Sequence, residues 1–199
     1  MPGNPEVPVE NRNRAGARRV HDSPIFARLI VSVSALLAVP ALADQPKGSG
    51  LPPHVHRMKP DEPQYQFAQL VQLANPEHKD DKIAQGLTPE TMYKLADHVR
   101  GAMNQIRAMS RQNTDEICAQ KDTINRETMA RLVAQLDADT HAYEKKIVAD
   151  VPALIGPEQA AIFQRVMSTI TIHGTVADGA AAIRSPDYPY KHTLAEWCR

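Results

Sequence analysis

Two short stretches fix the shape open to this chain. Leu87-Thr88-Pro89-Glu90 and Gly156-Pro157-Glu158-Gln159 each put proline and glutamate where the first turn of a helix accepts them. Between them apolar residues recur at intervals near three and four. Met92, Leu95, Val99, Met103, Ile106 and Ile117 form one stripe, opposite Lys94, Asp97, Arg100, Arg107 and Arg111. Met129, Leu132, Leu136, Tyr143 and Ile147 form a second, with Glu127, Arg131, Asp137 and Lys146 off it. Patterning of this length predicts two long amphipathic helices folded back on each other. Thr88 caps the first, and Pro152 and Gly156 end the second. Two turns are open: Asp122-Thr123-Ile124-Asn125, where Asn125 caps the returning helix, and Asn113-Thr114-Asp115-Glu116. The first is preferred because it gives the more equal arms, roughly 33 and 27 residues or about 50 and 40 Å.

A third helix starts at Pro157. Ile162, Phe163, Val166, Met167, Ile170 and Ile172 make it strongly apolar, so it packs across the other two; Gly174 and Gly179 weaken its later part. Residues 185–190 form a turn-rich tail, and Thr193 caps a last helical turn ending at Trp197-Cys198. Upstream, Phe67, Leu70, Val71 and Ala74 mark a short amphipathic helix that Asn75-Pro76 ends. Residues 75–86 are a charged connector. No segment shows strand alternation. The expected class is all-α: a long helical hairpin with a covering third helix and a docked C-terminal tail, a single domain over residues 64–199.

Residues 1–43 read as an export signal. Arg12, Arg14, Arg18, Arg19 and Arg28 precede an apolar run from Leu29 to Leu42, and Ala41-Leu42-Ala43 offers a cleavage site before Asp44. The run of about 14 residues is shorter than the roughly 20 that span a bilayer, which favours a cleaved signal over the alternative, an uncleaved anchor. Residues 44–63, rich in proline, glycine and lysine, read as a flexible leader. The expected location is therefore periplasmic or secreted, with no stable membrane span after cleavage.

The chain carries 23 basic and 23 acidic residues, and only 5% of it is aromatic. Neither balance suits a nucleic-acid partner or an aromatic-lined sugar cleft. The two cysteines, Cys118 and Cys198, are expected to form one disulfide in an oxidising compartment, closing a loop of about 80 residues and contributing on the order of 4 kcal/mol. Two separate thiols are the alternative.

The two helix starts resemble the motif of the periplasmic LTxxQ family, which includes Spy- and CpxP-type chaperones and CnrX-type metal sensors. Leu87-Thr88-Pro89-Glu90 matches a first copy, with Thr91 where glutamine stands in the motif. Pro157-Glu158-Gln159 matches a second, with Ile155-Gly156 replacing leucine-threonine. The resemblance covers about residues 87–167. It implies a stress-related chaperone or adaptor that binds protein clients or envelope proteins.

Several residues are candidates for chemistry. His54, His56 and Met58 place two imidazoles and a thioether within one short stretch, a set that suits copper or zinc if Glu62 or a second chain completes it. His98 and His141 lie on the two arms beside their stripes and could face each other as a metal or pH-sensing pair. His173 reads as a core histidine. Met92, Met103, Met109, Met129 and Met167 are flexible and polarizable; facing outward, they would make an adaptable cradle for unfolded chains, and facing inward they are ordinary core. Asp137 and Asp139 read as a solvated helix face. Ser110 and Ser168 have no catalytic motif around them, and the chain is expected not to be an enzyme. Three functions follow: a periplasmic protein-binding protein acting as chaperone or adaptor, a periplasmic metal-binding sensor or scavenger, or a structural accessory subunit of an envelope complex. A homodimer is expected to cover whatever apolar face the hairpin leaves open.

Overall fold

A computed structural model describes residues 54–199. The expected export signal and the first part of the leader lie outside them. The fold is all-α, built on two antiparallel helices: α3, Pro89–Ala119, and α4, Arg126–Ile155. Thr88 caps α3 by accepting from the Thr91 N–H at 3.1 Å, and Asn125 caps α4 by accepting from the Thr128 N–H at 2.8 Å. The hairpin therefore turns at the first of the two candidate sites. Across the pair, the His98 ring donates to the Ile147 carbonyl at 3.0 Å and the Asn113 amide to the Leu132 carbonyl at 2.9 Å. Pro152 does not end α4, which runs through it to Ile155. Pro152 lacks only an amide donor, and near the helix end that loss is tolerated. Gly156 makes the break, at φ 84° and ψ 163°, a conformation open to glycine and strained for other residues.

Five shorter α-helices clothe this hairpin. Helix α1, Pro63–Leu73, lies on α4. A 3-10 turn, Pro76–His78, and α2, Lys79–Ala84, give the charged connector local structure. Helix α5, Pro157–Thr169, packs on α4 and α1. It stops earlier than expected, because Thr169, Ile170, Thr171 and Ile172 are all β-branched and favour extended backbone. Gln69 of α1 caps its end, donating to the Met167 and Ile170 carbonyls at 3.1 and 2.7 Å. Helices α6, Gly179–Arg184, and α7, Tyr190–Trp197, complete the chain. Thr193 lies inside α7 rather than capping it.

Two short strands depart from the expectation of helix alone. β1, Val55–Arg57, pairs antiparallel with β2, Thr175–Ala177, with His56 opposite Val176. The end of the expected flexible leader is thus held to the body of the protein. Gly174 belongs to this junction: a Cβ there would meet Met58 Cε at 2.4 Å.

The interior is divided in two. The larger core gathers Phe67, Leu70 and Leu73 from α1, Leu95, Val99 and Ile106 from the first half of α3, Ile147 and Val151 from the second half of α4, and Phe163 and Val166 from α5. The smaller core surrounds the hairpin tip with Ile117, Ile124, Met129, Val133, Ile183 and Leu194. Beside it Cys118 and Cys198 are bonded, their Cα atoms 5.3 Å apart. The Arg126 guanidinium fastens the tail here, donating to the Ser185 and Tyr188 carbonyls and lying over the Tyr190 ring. Among the described residues, no helix is long and apolar enough to cross a membrane.

Candidate functional site

Between the two cores, the inward face of α4 turns polar. Met129 and Val133 belong to the smaller core and Ile147 and Val151 to the larger. At the same helical phase between them stand Asp137, Thr140, His141 and Glu144, with Leu136 as the buried apolar residue alongside. The layer continues onto α3, where Ser110 is buried and the Thr114 hydroxyl donates to its carbonyl. From α1, the Gln64 amide nitrogen lies against the His141 ring.

Three oxygens in this layer are buried without a hydrogen-bond partner among the described residues: Gln64 Oε1, Thr140 Oγ1 and Glu144 Oε2. Thr140 is only 5% exposed. Burying a polar atom unpaired costs on the order of 1–3 kcal/mol, so three in one layer are not incidental to stability.

The titration of the layer follows from its surroundings. Burial, reinforced by the Asp137 carboxylate, pushes Glu144 up to about 7. Burial and the nearby Asp178 carboxylate push Asp137 up to about 6. Burial lowers His141 from its usual range, while Glu62 partly opposes that shift. A neutral His141 has a ring nitrogen able to accept from the Gln64 amide. Glu62 in turn accepts from the His56 ring at 3.1 Å and the Lys59 N–H at 3.2 Å. Asp178 caps α6, accepting from the Ala181 N–H at 2.8 Å. The arrangement can take up and release protons near neutral pH, because its charged forms are poorly solvated and its nearest charges are other carboxylates.

The sequence candidates fall elsewhere. His56 is tied to Glu62, the His54 carbonyl accepts from the Asp178 N–H, and the Met58 methyl sits over Gly174. Among the described residues, no group of three or more histidine, cysteine, aspartate or glutamate side chains is placed to hold a metal ion. His98 and His141 do not face each other: the first bonds Ile147 and the second meets Gln64. His173 is exposed rather than a core residue. Met92 and Met167 are buried in the larger core and Met129 in the smaller, so these three form no outward cradle; they share the phase of the core stripe. Met103 and Met109 are half-buried. Tyr93 and Leu154 are the exposed large hydrophobics among the described residues, at 63% and 37%. Helices α1, α5 and α6 pack against α4. Asp139 lies on the exposed face, as expected, and accepts from Gln135; Asp137 does not. One signal for the layer was present: Thr140 and Glu144 occupy stripe positions where apolar residues would continue the core.

The two helix entrances meet in space. The Thr88 N–H donates to Gln159 Oε1 at 3.0 Å, and the Gln159 amide reaches the Gly86 carbonyl at 3.5 Å. Comparison of the chain with protein-family models, with curated proteins and with solved structures finds no match.

Proposed function

We propose that this chain is an exported, periplasmic helical protein that works by binding other proteins, as a chaperone or adaptor of the cell envelope. The observation that carries this reading is the divided interior. A helical hairpin with one apolar core would be a rigid rod; here two cores meet across a layer of poorly satisfied polar groups, and α1 supplies much of the larger core from outside the hairpin. Lifting α1 uncovers Leu95, Val99, Ile147 and Val151, a contiguous apolar face able to receive a segment of another protein. The formed disulfide supports an oxidising compartment. The likeness of both helix entrances to LTxxQ motifs, and their contact through Gln159 and Thr88, supports a place beside that family of stress proteins.

The test is aggregation of a chemically denatured client, followed by light scattering with and without the purified protein and without nucleotide. Suppression near one-to-one stoichiometry is expected. Undiminished aggregation at several-fold excess would sink the chaperone form of the proposal, and the absence of any envelope partner after cross-linking in the periplasm would sink the adaptor form.

A further inference from the structure

We propose that Gln64, Asp137, Thr140, His141 and Glu144 form a proton-operated latch, which fastens α1 to α4 while Glu144 carries a proton and loosens that contact when Glu144 is ionised. This concerns how α1 is held and stands whether or not the protein binds clients.

The argument begins with a hydrogen-bond count. The Gln64 amide nitrogen, the layer's donor from α1, is directed at His141. What remains buried is a set of acceptors: Gln64 Oε1, Glu144 Oε2 and the Thr140 oxygen, whose hydroxyl hydrogen is a single donor. An ionised Glu144 only accepts, so it adds charge to a layer whose buried, unpartnered atoms are all oxygens. A protonated Glu144 brings an O–H and removes the charge. Thr140 and Glu144 lie one turn apart on the same face of α4, and His141, between them in sequence, is the residue that Gln64 touches. The proton therefore enters within one helical turn of the contact between Gln64 and His141.

Among the described residues, the charges that act on this layer are carboxylates. Asp137 acts on Glu144, and Asp178, from the start of α6, acts on Asp137. At the head of α1, Glu62 is bound to His56 and acts on His141. On α3, Ser110 and Asn113 are neutral and His98 is committed to the Ile147 carbonyl. Arg107 is exposed and donates to Asn104. On α5, Arg165 donates to the Gln85 carbonyl, away from the layer. Ionising Glu144 thus places a second or third carboxylate among carboxylates, and the response open to the structure is to let water in between α1 and α4.

The experiment uses the purified, oxidised protein. The side-chain carboxyl of Glu144 is titrated by carbon-detected NMR, and hydrogen exchange across residues 63–73 is followed from about pH 5.5 to about pH 8.5, corrected for the intrinsic base catalysis of exchange. Glu144 is expected to titrate near neutrality, and corrected exchange in α1 to rise about tenfold or more over that range. Glu144→Gln, which cannot ionise, is expected to keep α1 protected, with a change of less than about threefold. A Glu144 midpoint in the ordinary carboxylate range overturns the proposal. So does an α1 exchange profile in Glu144→Gln that climbs with pH as the wild type does. Should that variant fail to fold, the wild-type titration still decides.

Discussion

Gln159, at the head of α5, accepts a hydrogen bond from the backbone N–H of Thr88, at the head of α3, over a sequence separation of 71 residues. Its amide nitrogen faces the Gly86 carbonyl, so one side chain satisfies a donor and an acceptor of the same loop. The glutamine of Pro157-Glu158-Gln159 therefore braces the first helix start, while Thr91 meets the Thr88 hydroxyl at 2.9 Å. We expect Gln159→Ala to cost about 1 kcal/mol, a small figure because water can reach the freed groups. That corresponds to a fall in melting temperature of about 3 °C. Gln159→Glu keeps the acceptor for Thr88 and should lose less. A melt of Gln159→Ala indistinguishable from wild type would show that the bridge contributes nothing.

The acid-base behaviour of the polar layer sets a direction for stability against pH. The folded-state values of Glu144 and Asp137 are raised to about 7 and about 6 from 4.5 and 3.8. Their contribution is therefore complete below the unfolded values and is lost as pH rises through the folded ones. His141 works the other way: burial lowers it, so its contribution is lost as pH falls below its usual range. Two carboxyls outweigh one imidazole, and the melting temperature should decline from about pH 5 to about pH 8. Asp137→Asn should stabilise the protein at about pH 8 by about 1 kcal/mol, a value reduced for the water that reaches this half-buried side chain, and have little effect near pH 4.5. A melting temperature that rises over the same range contradicts the assignment.

Reduction of the Cys118–Cys198 bond releases a loop with a sequence separation of 80. The loss should be about 4 kcal/mol, through the greater freedom of the unfolded chain, read as a lower urea midpoint. Leu194 packs in the smaller core and Trp197 against it, so the tryptophan emission should shift red in the reduced protein. Cys118→Ser and Cys198→Ser should each match reduction, and the double variant should be no worse. A double variant clearly less stable than either single one would mean that the thiols act separately.

Gly156 separates α4 from α5 at a positive φ, and a Cβ placed there meets no atom within 4 Å. The whole cost of Gly156→Ala is thus backbone strain, about 1–3 kcal/mol. Denaturation should show a shifted midpoint with an unchanged slope. A neutral result would mean that the chain changes path at this junction.

The parts of the fold legible in the sequence are those written by local chemistry. Thr88 and Asn125 announce helix starts, the stripes of α3 and α4 give their faces, and two cysteines in a chain with an export-like head imply their bond. The strands were not legible, because three residues cannot establish alternation and β1 finds β2 only through backbone bonds to a distant segment. The early end of α5 was visible in principle as a β-branched run. Asp137 looked solvated because its charge was read without its phase; only the packing of α1 and α6 on α4 shows that it faces inward. Gln64 carried no signal at all, since a glutamine at the start of an amphipathic helix is ordinary until its neighbour on α4 is known.

The link between Cys118 and Cys198 also decides which parts can move apart. It makes α4, α5, β2, α6 and α7 a single covalent macrocycle, whereas β1, α1, α2 and nearly all of α3 lie outside it. A protease cut anywhere within the ring leaves its two pieces tethered until a reductant arrives, and β1 and α1 are held to the ring by packing and hydrogen bonds rather than by covalent closure. Topology thus lets α1 part from α4 without opening the ring.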